Sequence, residues 1–213
     1  MSSLFHDSEY PVAKRRAIKP VPSNNRRANT LRIIAGQWRG RKLPFGDHEG
    51  LRPTGDRVRE TLFNWLQLDI IGARCVDLFA GAGALGFEAA SRGAKHVTMI
   101  EKSIAVANQL RQNEALLNSH NTQVIHSDAL HWLDINTVDC DILFLDPPFA
   151  NDLLQQSIDK LKTKPLKTHC LIYIESAKGS CFTTPAHWQL LKDKSSGQIN
   201  YALYQLVNNV VSH

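Results

Sequence analysis

Residues 74–101 read RCVDLFAGAGALGFEAASRGAKHVTMIE, and the change of period inside this stretch decides the architecture. A short apolar run at 75–79 leads into a glycine-rich turn that ends at Gly86. A longer apolar segment, 84–92, overlaps that turn and stops at Gly93, and a second short run, 96–100, ends against Glu101. Short runs bounded by turn residues suit strands, whereas the longer segment, closed by a glycine, suits a helix. The unit is strand, helix, strand. Two parallel strands require such a crossover, and its hand is almost always right-handed.

The alternation continues toward the C-terminus. Strands are expected at 123–126, 141–145 and 170–174, and helices at 104–118, 129–133 and 152–161, with Ser103 capping the first of these helices. Repeated βα units imply a mostly parallel sheet with helices on both faces. The tail departs from that pattern. HWQLLKDKSSGQINYALYQLV, starting at His187, holds two strand-like runs joined by Ser195-Ser196-Gly197, which suits an antiparallel hairpin.

Upstream, LRIIAGQWRGRKLPF from Leu31 sets apolar segments on either side of Gly36-Gln37-Trp38-Arg39-Gly40 and predicts a hairpin with a basic, aromatic tip. LRPTGDRVRETLFNWLQL follows from Leu51. Pro53 and Gly55 fix the approach to a helix that Asp56 can cap, with Val58, Leu62, Trp65 and Leu66 as its apolar stripe. The expected fold is α/β, a seven-stranded and mostly parallel sheet finished by an antiparallel hairpin, with a small N-terminal β-hairpin. Three stretches are expected along the chain: a basic arm at 1–30, the hairpin at 31–50 and the main domain at 51–213.

Charge is unevenly placed. The 213 residues carry a formal net charge of +5, and about half of the 25 Lys and Arg lie before residue 60. Lys14-Arg15-Arg16, Lys19 and Arg26-Arg27 stand in a segment too poor in apolar residues to offset its ordering entropy. A basic front on a near-neutral body suits a polyanion contact beside a separate chemical site. Cys75, Cys140, Cys170 and Cys181 form no Cys-x-x-Cys pair and sit in or beside apolar runs, so buried free thiols are expected. No histidine spacing suggests a metal, and no apolar run reaches the roughly 18 residues of a membrane span. A cytoplasmic setting is expected, with no metal and no membrane.

The chemistry lies in the turns. Gly81-Ala-Gly83-Ala-Leu-Gly86 is a literal G-x-G-x-x-G, which also occurs in NAD-binding folds and does not choose the ligand. Asp77 immediately upstream would repel a pyrophosphate but suits a positive amino group, such as that of S-adenosylmethionine. Glu101 lies roughly twenty residues beyond the glycines, where a carboxylate can accept from both ribose hydroxyls. Asp128 can accept from an adenine amino group or cap the helix that starts at Ala129. Asp146-Pro147-Pro148-Phe149 is the most specific signal. An aromatic amine is a poor nucleophile because its lone pair is delocalised into the ring. Hydrogen bonds to a carboxylate and to the Pro147 carbonyl can turn that lone pair toward a methyl donor. The prolines stiffen the turn without adding competing N–H groups, and Phe149 offers a face for an extruded base. Asp77, Glu101, Asp128 and Asp146 each follow a predicted parallel strand, and those strand ends share one ligand-binding edge.

With these motifs in hand, the chain resembles the class I S-adenosylmethionine-dependent methyltransferases of the D/N-P-P-F/Y amino-methylating group. More narrowly, it resembles the RsmD-type small-subunit ribosomal RNA guanine-N2 methyltransferases. The resemblance spans about Leu31 to Val207 and rests on LRIIAGQWRGRKL, LRPTGDRVRETLFNWL, DLFAGAGALGFEAASRGA, IEKS and DPPF. It implies a Rossmann-like fold and S-adenosylmethionine as cofactor, held by Asp77, Phe79, Gly81, Gly83, Glu101, Asp128, Ala129 and Thr54. It further implies that Asp146, Pro147, Pro148 and Phe149 hold the target base. Arg32, Trp38, Arg39, Arg41, Lys42 and Arg52 would then meet the RNA, within an assembling small subunit. A monomer is expected. The D-P-P-F tetrapeptide alone leaves adenine N6 and cytosine N4 open as alternatives.

Overall fold

The computed structural model describes residues 29–46, 54–149 and 152–207. The proposed arm, apart from its last residues, and Arg52 therefore lie outside the described residues. A two-stranded antiparallel sheet, β1 (Asn29–Arg32) with β2 (Lys42–Phe45), opens the chain. Then come α1 (Asp56–Trp65), β3 (Arg74–Asp77), α2 (Ala84–Ser91), β4 (His96–Glu101), α3 (Ile104–Leu117), β5 (Thr122–His126) and α4 (Ala129–Ile135). β6 (Ile142–Leu145), α5 (Leu153–Lys162), β7 (Leu171–Ala177), β8 (Trp188–Ser196) and β9 (Ile199–Leu206) complete it.

The large sheet has seven strands in the order β5-β4-β3-β6-β7-β9-β8. β5, β4, β3, β6 and β7 run parallel, while β9 pairs antiparallel with both β7 and β8. The order reverses between β4-β3 and β6, which opens a crevice at the carboxyl ends of the central strands. The predicted alternation and the terminal hairpin are both present, as is the cap of α3, where Ser103 accepts from the Val106 amide.

Two cores flank the sheet. One face buries Cys75, Phe144 and Tyr173 against α1, α2 and α3, and the other buries Val76, Leu143 and Ile172 against α4 and α5. Alternate strand residues supply each face, as the two-residue period requires. On α1, Val58, Leu62 and Leu66 are buried as expected, whereas Trp65 is only partly covered and stacks on Tyr201 at 5.4 Å. Asp56 does not cap α1. Gly55 holds the N-cap position, and the Asp56 carboxylate pairs with Arg59 at 2.7 Å and Arg32 at 3.7 Å.

The N-terminal hairpin is clamped onto α2. Glu88, fully buried, accepts from the amides of Ile34 at 2.8 Å and Ala35 at 3.0 Å. The same carboxylate pairs with the buried Arg59 guanidinium at 3.4 Å and with Arg92 at 2.7 Å. Arg59 also donates to the Arg32 carbonyl at 3.0 Å. At the helix end, Ser91 Oγ accepts from the Trp38 amide and donates to the Ala35 carbonyl. Gly36 has φ +82°, and a Cβ there would stand 1.8 Å from the Ser91 carbonyl oxygen, so only glycine permits this approach.

Two expectations are corrected here. Trp38 is no exposed platform for a base. With 9% of its surface exposed it belongs to the core, because the hairpin tip is folded onto α2. All four cysteines are free, but only Cys75, Cys140 and Cys170 are buried. Cys181 is exposed because it lies in the loop after β7, beyond the sheet.

Candidate active site

The carboxyl ends of β3, β4, β5 and β6 bring Asp77, Glu101, Asp128 and Asp146 to one rim of the sheet. Asp77 ends β3, opposite Met99 on β4 and Phe144 on β6. Its Oδ2 accepts from the Gly86 amide at 3.2 Å, while its Oδ1 is buried and has no hydrogen-bond partner among the described residues. Burial pushes the Asp77 pKa up to about 7, the charge of Asp146 adds to that, and the amides of Phe79 and Gly86 oppose it. A buried carboxylate with one idle oxygen is costly unless a donor arrives. The oxygen suits an ammonium group.

The cost has a measurable sign. The folded pKa of Asp77 exceeds its ordinary value of 3.8, so between about pH 4 and 7 the folded state holds more protons than the unfolded one. Stability contributed by this site therefore falls as pH rises through that window. Asp77→Asn is expected to raise Tm at pH 8 and to change it little at pH 4, by thermal melts of the ligand-free protein. The gain should be at most a few kcal/mol. Equal shifts at both pH values would remove the buried charge as the cause.

Glu101 spans the glycine turn. Its Oε2 accepts from the Gly81 amide at 3.0 Å and its Oε1 from the Ser103 amide at 2.7 Å. Each oxygen keeps a lone pair for a hydroxyl. The turn glycines do more than admit a ligand. Gly83 has φ +78°, and a Cβ there would lie 2.5 Å from the Phe87 ring, so it serves the packing of α2 as well. Asp128 caps α4, accepting from the amides of Leu130 and His131, while its other oxygen meets Lys102 at 2.9 Å. The Lys102 interaction, aided by the cap, holds its pKa down, so it stays ionised.

Asp146 stands one residue beyond the last paired rung of β6, Leu145 against Ile174. Thr54 is buried and donates from Oγ1 to Asp146 Oδ2 at 2.9 Å. The resemblance puts Thr54 beside the cofactor; in the structure its hydroxyl is hydrogen-bonded to the candidate catalytic carboxylate. Burial raises the Asp146 pKa, and the Thr54 hydrogen bond opposes the rise. Pro147 is buried, Pro148 is exposed, and Phe149 leaves 57% of its surface open at the rim. An exposed phenyl beside a stiff proline turn provides a flat apolar surface.

Sequence reasoning missed Glu175. It lies on β7 and is 5% exposed, and its Oε2 accepts from Tyr173 Oη at 3.0 Å. Burial raises its pKa, the neighbouring charge of Asp146 adds to the rise, and the Tyr173 hydrogen bond opposes it. The signal that found the other four carboxylates, an acid at the carboxyl end of a parallel strand, applies here too. The expected strand stops one residue short of Glu175.

Of the expected RNA-facing residues, Arg32, Arg39, Arg41 and Lys42 are exposed. Arg41 also donates to the Leu116 carbonyl at 2.7 Å, tying the hairpin to the end of α3. Among the described residues no group of three or more His, Cys, Asp or Glu could hold a metal ion, and no helix is long and apolar enough to cross a membrane.

The family described as conserved hypothetical protein 95 matches residues 31–205. Ribosomal RNA small subunit methyltransferase D of Escherichia coli K12 is 48% identical over 184 residues, covering 85% of this chain and 93% of that protein. The protein of the same name from Haemophilus influenzae is 51% identical over 180 residues, covering 82% of this chain and 93% of its own. A solved structure, the putative methyltransferase yhhF from Escherichia coli, superposes with a TM-score of 0.78 at 48% identity, covering 85% of this chain and 100% of that one. The glycine turn, the rim of carboxylates and the strand order thus fall within a matched length that takes in both the hairpin and the sheet, and the chain belongs to the RsmD family, with the class I methyltransferase fold.

Proposed function

We propose that this protein transfers a methyl group from S-adenosylmethionine to the exocyclic N2 amine of a guanine in small-subunit ribosomal RNA. The observation that carries this reading is the idle, buried oxygen of Asp77 on the same rim as Asp146 and the exposed Phe149. When bound, S-adenosylmethionine supplies an electrophilic methyl group on a sulfonium. Asp77 would accept from its ammonium, with Phe79, Gly81 and Gly83 walling that end. Glu101 would accept from the ribose hydroxyls, and Asp128 with Ala129 would border the adenine. Relatives named for methylation of ribosomal RNA of the small subunit support the substrate class.

At the acceptor end, Asp146, held by Thr54, and the Pro147 carbonyl would each accept an N–H of the target amine. That draws the nitrogen toward a tetrahedral shape and frees its lone pair. Phe149 would stack on the base after it leaves its helix. Guanine N2 lies on the pairing edge, so the nucleotide must be unpaired or extruded.

The test uses labelled cofactor with small-subunit particles that lack the modification, followed by digestion to nucleosides. Label in N2-methylguanosine is expected; label confined to methyladenosine or methylcytidine would overturn the guanine reading. The acceptor in this proposal is RNA within an assembling particle, bound by a monomer in the cytoplasm, with the 1–30 arm and the 31–50 hairpin supplying cations. Arg39→Glu with Lys42→Glu is expected to weaken RNA binding and to flatten its dependence on salt by roughly one unit of slope per cation. Both side chains are exposed, so thermal stability should not change. Binding titrations from low to moderate salt read this directly, and an unchanged slope would take the hairpin off the RNA.

A further inference from the structure

Resting on that reading, the geometry points to Glu175 as a specificity-determining residue that accepts from the ring N1–H of the target guanine beside the amine held by Asp146. β6 and β7 run parallel, with Leu145 paired to Ile174, so Asp146 and Glu175 occupy the next rung on neighbouring strands. Side chains on one rung project to the same face of a sheet. The shared face is visible one step back from that pair, where Phe144 meets Tyr173 edge-on at 6.4 Å. Two carboxylates therefore stand side by side at the mouth of the site. An open hollow of ≈ 70 Å³ adjoins Glu175 and the proline turn that follows Asp146, lined by Pro147, Phe149, Glu175, Ser176 and Phe182 among others. Its aromatic side chains are the kind that bracket a base.

The chemistry of the bases selects among acceptors. One carboxylate is enough to turn an exocyclic amine, and adenine and cytosine each present that amine beside a bare ring nitrogen, which is an acceptor. A second carboxylate, when ionised, would face that lone pair and repel it. Guanine alone among the three carries a ring N–H next to its exocyclic amine on the pairing edge. Two acceptors side by side match two adjacent donors. Burial makes a lone ionised Glu175 costly, and an N–H donor offsets that cost. The Tyr173 hydroxyl fixes the carboxylate from behind at 3.0 Å.

The experiment compares guanine with 2-aminopurine, which keeps the 2-amino group but has no N1–H. Small-subunit RNA is rebuilt with either base at the methylated nucleotide, first located by mapping the label to a nuclease fragment of the RNA, assembled into particles, and methylated by wild-type protein and by Glu175→Gln. Wild type is expected to favour guanine by about 10- to 100-fold in kcat/KM, the scale of one charge-assisted hydrogen bond. Glu175→Gln, whose amide can accept or donate, should lose guanine activity and reduce that preference to within about three-fold. Affinity for S-adenosylmethionine, by calorimetry, should stay within a few-fold of the wild-type value, since β6 separates the strand of Glu175 from that of Asp77, and β6 and β3 separate it from that of Glu101. Guanine methylation with no preference over 2-aminopurine in wild type would overturn the role of Glu175 and leave the proposed function intact. Retention of the full preference by Glu175→Gln would overturn that role in the same way. The wild-type comparison needs no variant, so a folding defect in Glu175→Gln cannot mask the answer. Methylation of adenine or cytosine by wild type would instead overturn the functional reading and the role of Glu175 with it.

Discussion

Asp146→Ala is expected to lower kcat by roughly 10²- to 10³-fold, the scale of removing one preorganised electrostatic contact to a reacting group. Cofactor affinity should remain within a few-fold of wild type, because the idle Asp77 oxygen and the Glu101 carboxylate are untouched. The split is informative. A residue that only held the fold together would lower both, and a residue that only bound substrate would raise KM without changing kcat. Thr54→Val should follow in the same direction with a smaller loss, since it removes the hydroxyl that orients Asp146 Oδ2 but leaves the carboxylate in place. Steady-state kinetics on unmodified particles, with calorimetry for the cofactor, measures both quantities. Near-wild-type kcat in Asp146→Ala would end the amine-orienting role.

The second large effect concerns stability. Arg59 is fully buried and meets Glu88 at 3.4 Å, Asp56 at 2.7 Å and the Arg32 carbonyl at 3.0 Å. Arg59→Ala removes a buried guanidinium shared by three acceptors and leaves Glu88 to Arg92 and the Ile34 and Ala35 amides, a partial break of a buried network that should cost about 3 kcal/mol. A chain of this size should then melt roughly 10 °C lower. Asp56→Ala supplies the contrast. Its side chain is 55% exposed, so its share of the same network should be at most about 1 kcal/mol. Denaturant unfolding of both variants tests the difference. Similar small losses would mean that water reaches the Arg59–Glu88 pair.

Much of this architecture can be read from periodicity, because one period governs each element. The strands from β3 to β7 are short apolar runs between turn residues, and the helices carry stops such as Gly93 and starts such as Ser103. The carboxylates on the rim follow from a positional rule, and the structure places all four at the strand ends. Long-range packing cannot be read that way. Glu88 in a helix looks like a solvated residue, and nothing local shows that a loop more than fifty positions upstream donates two amides to it. Trp38 reads as a surface residue for the same reason: a Trp between glycines and arginines suits an exposed tip unless the partner helix is known. Asp56 is a reasonable cap by residue type, but its competition with Arg59 is settled by tertiary contact. Glu175 escapes because an apolar run gives the position of a strand better than its last residue.

One short helix serves two ends of the molecule. α2 begins where the glycine turn closes and ends where Glu88 and Ser91 grip the hairpin, and its eight residues span about 12 Å. It acts as a ruler. The loop proposed to face RNA and the seat proposed for the methyl donor are fixed at the two ends of one rigid rod, so a substrate gripped at the far end is measured off against the reacting carbon with no hinge between them.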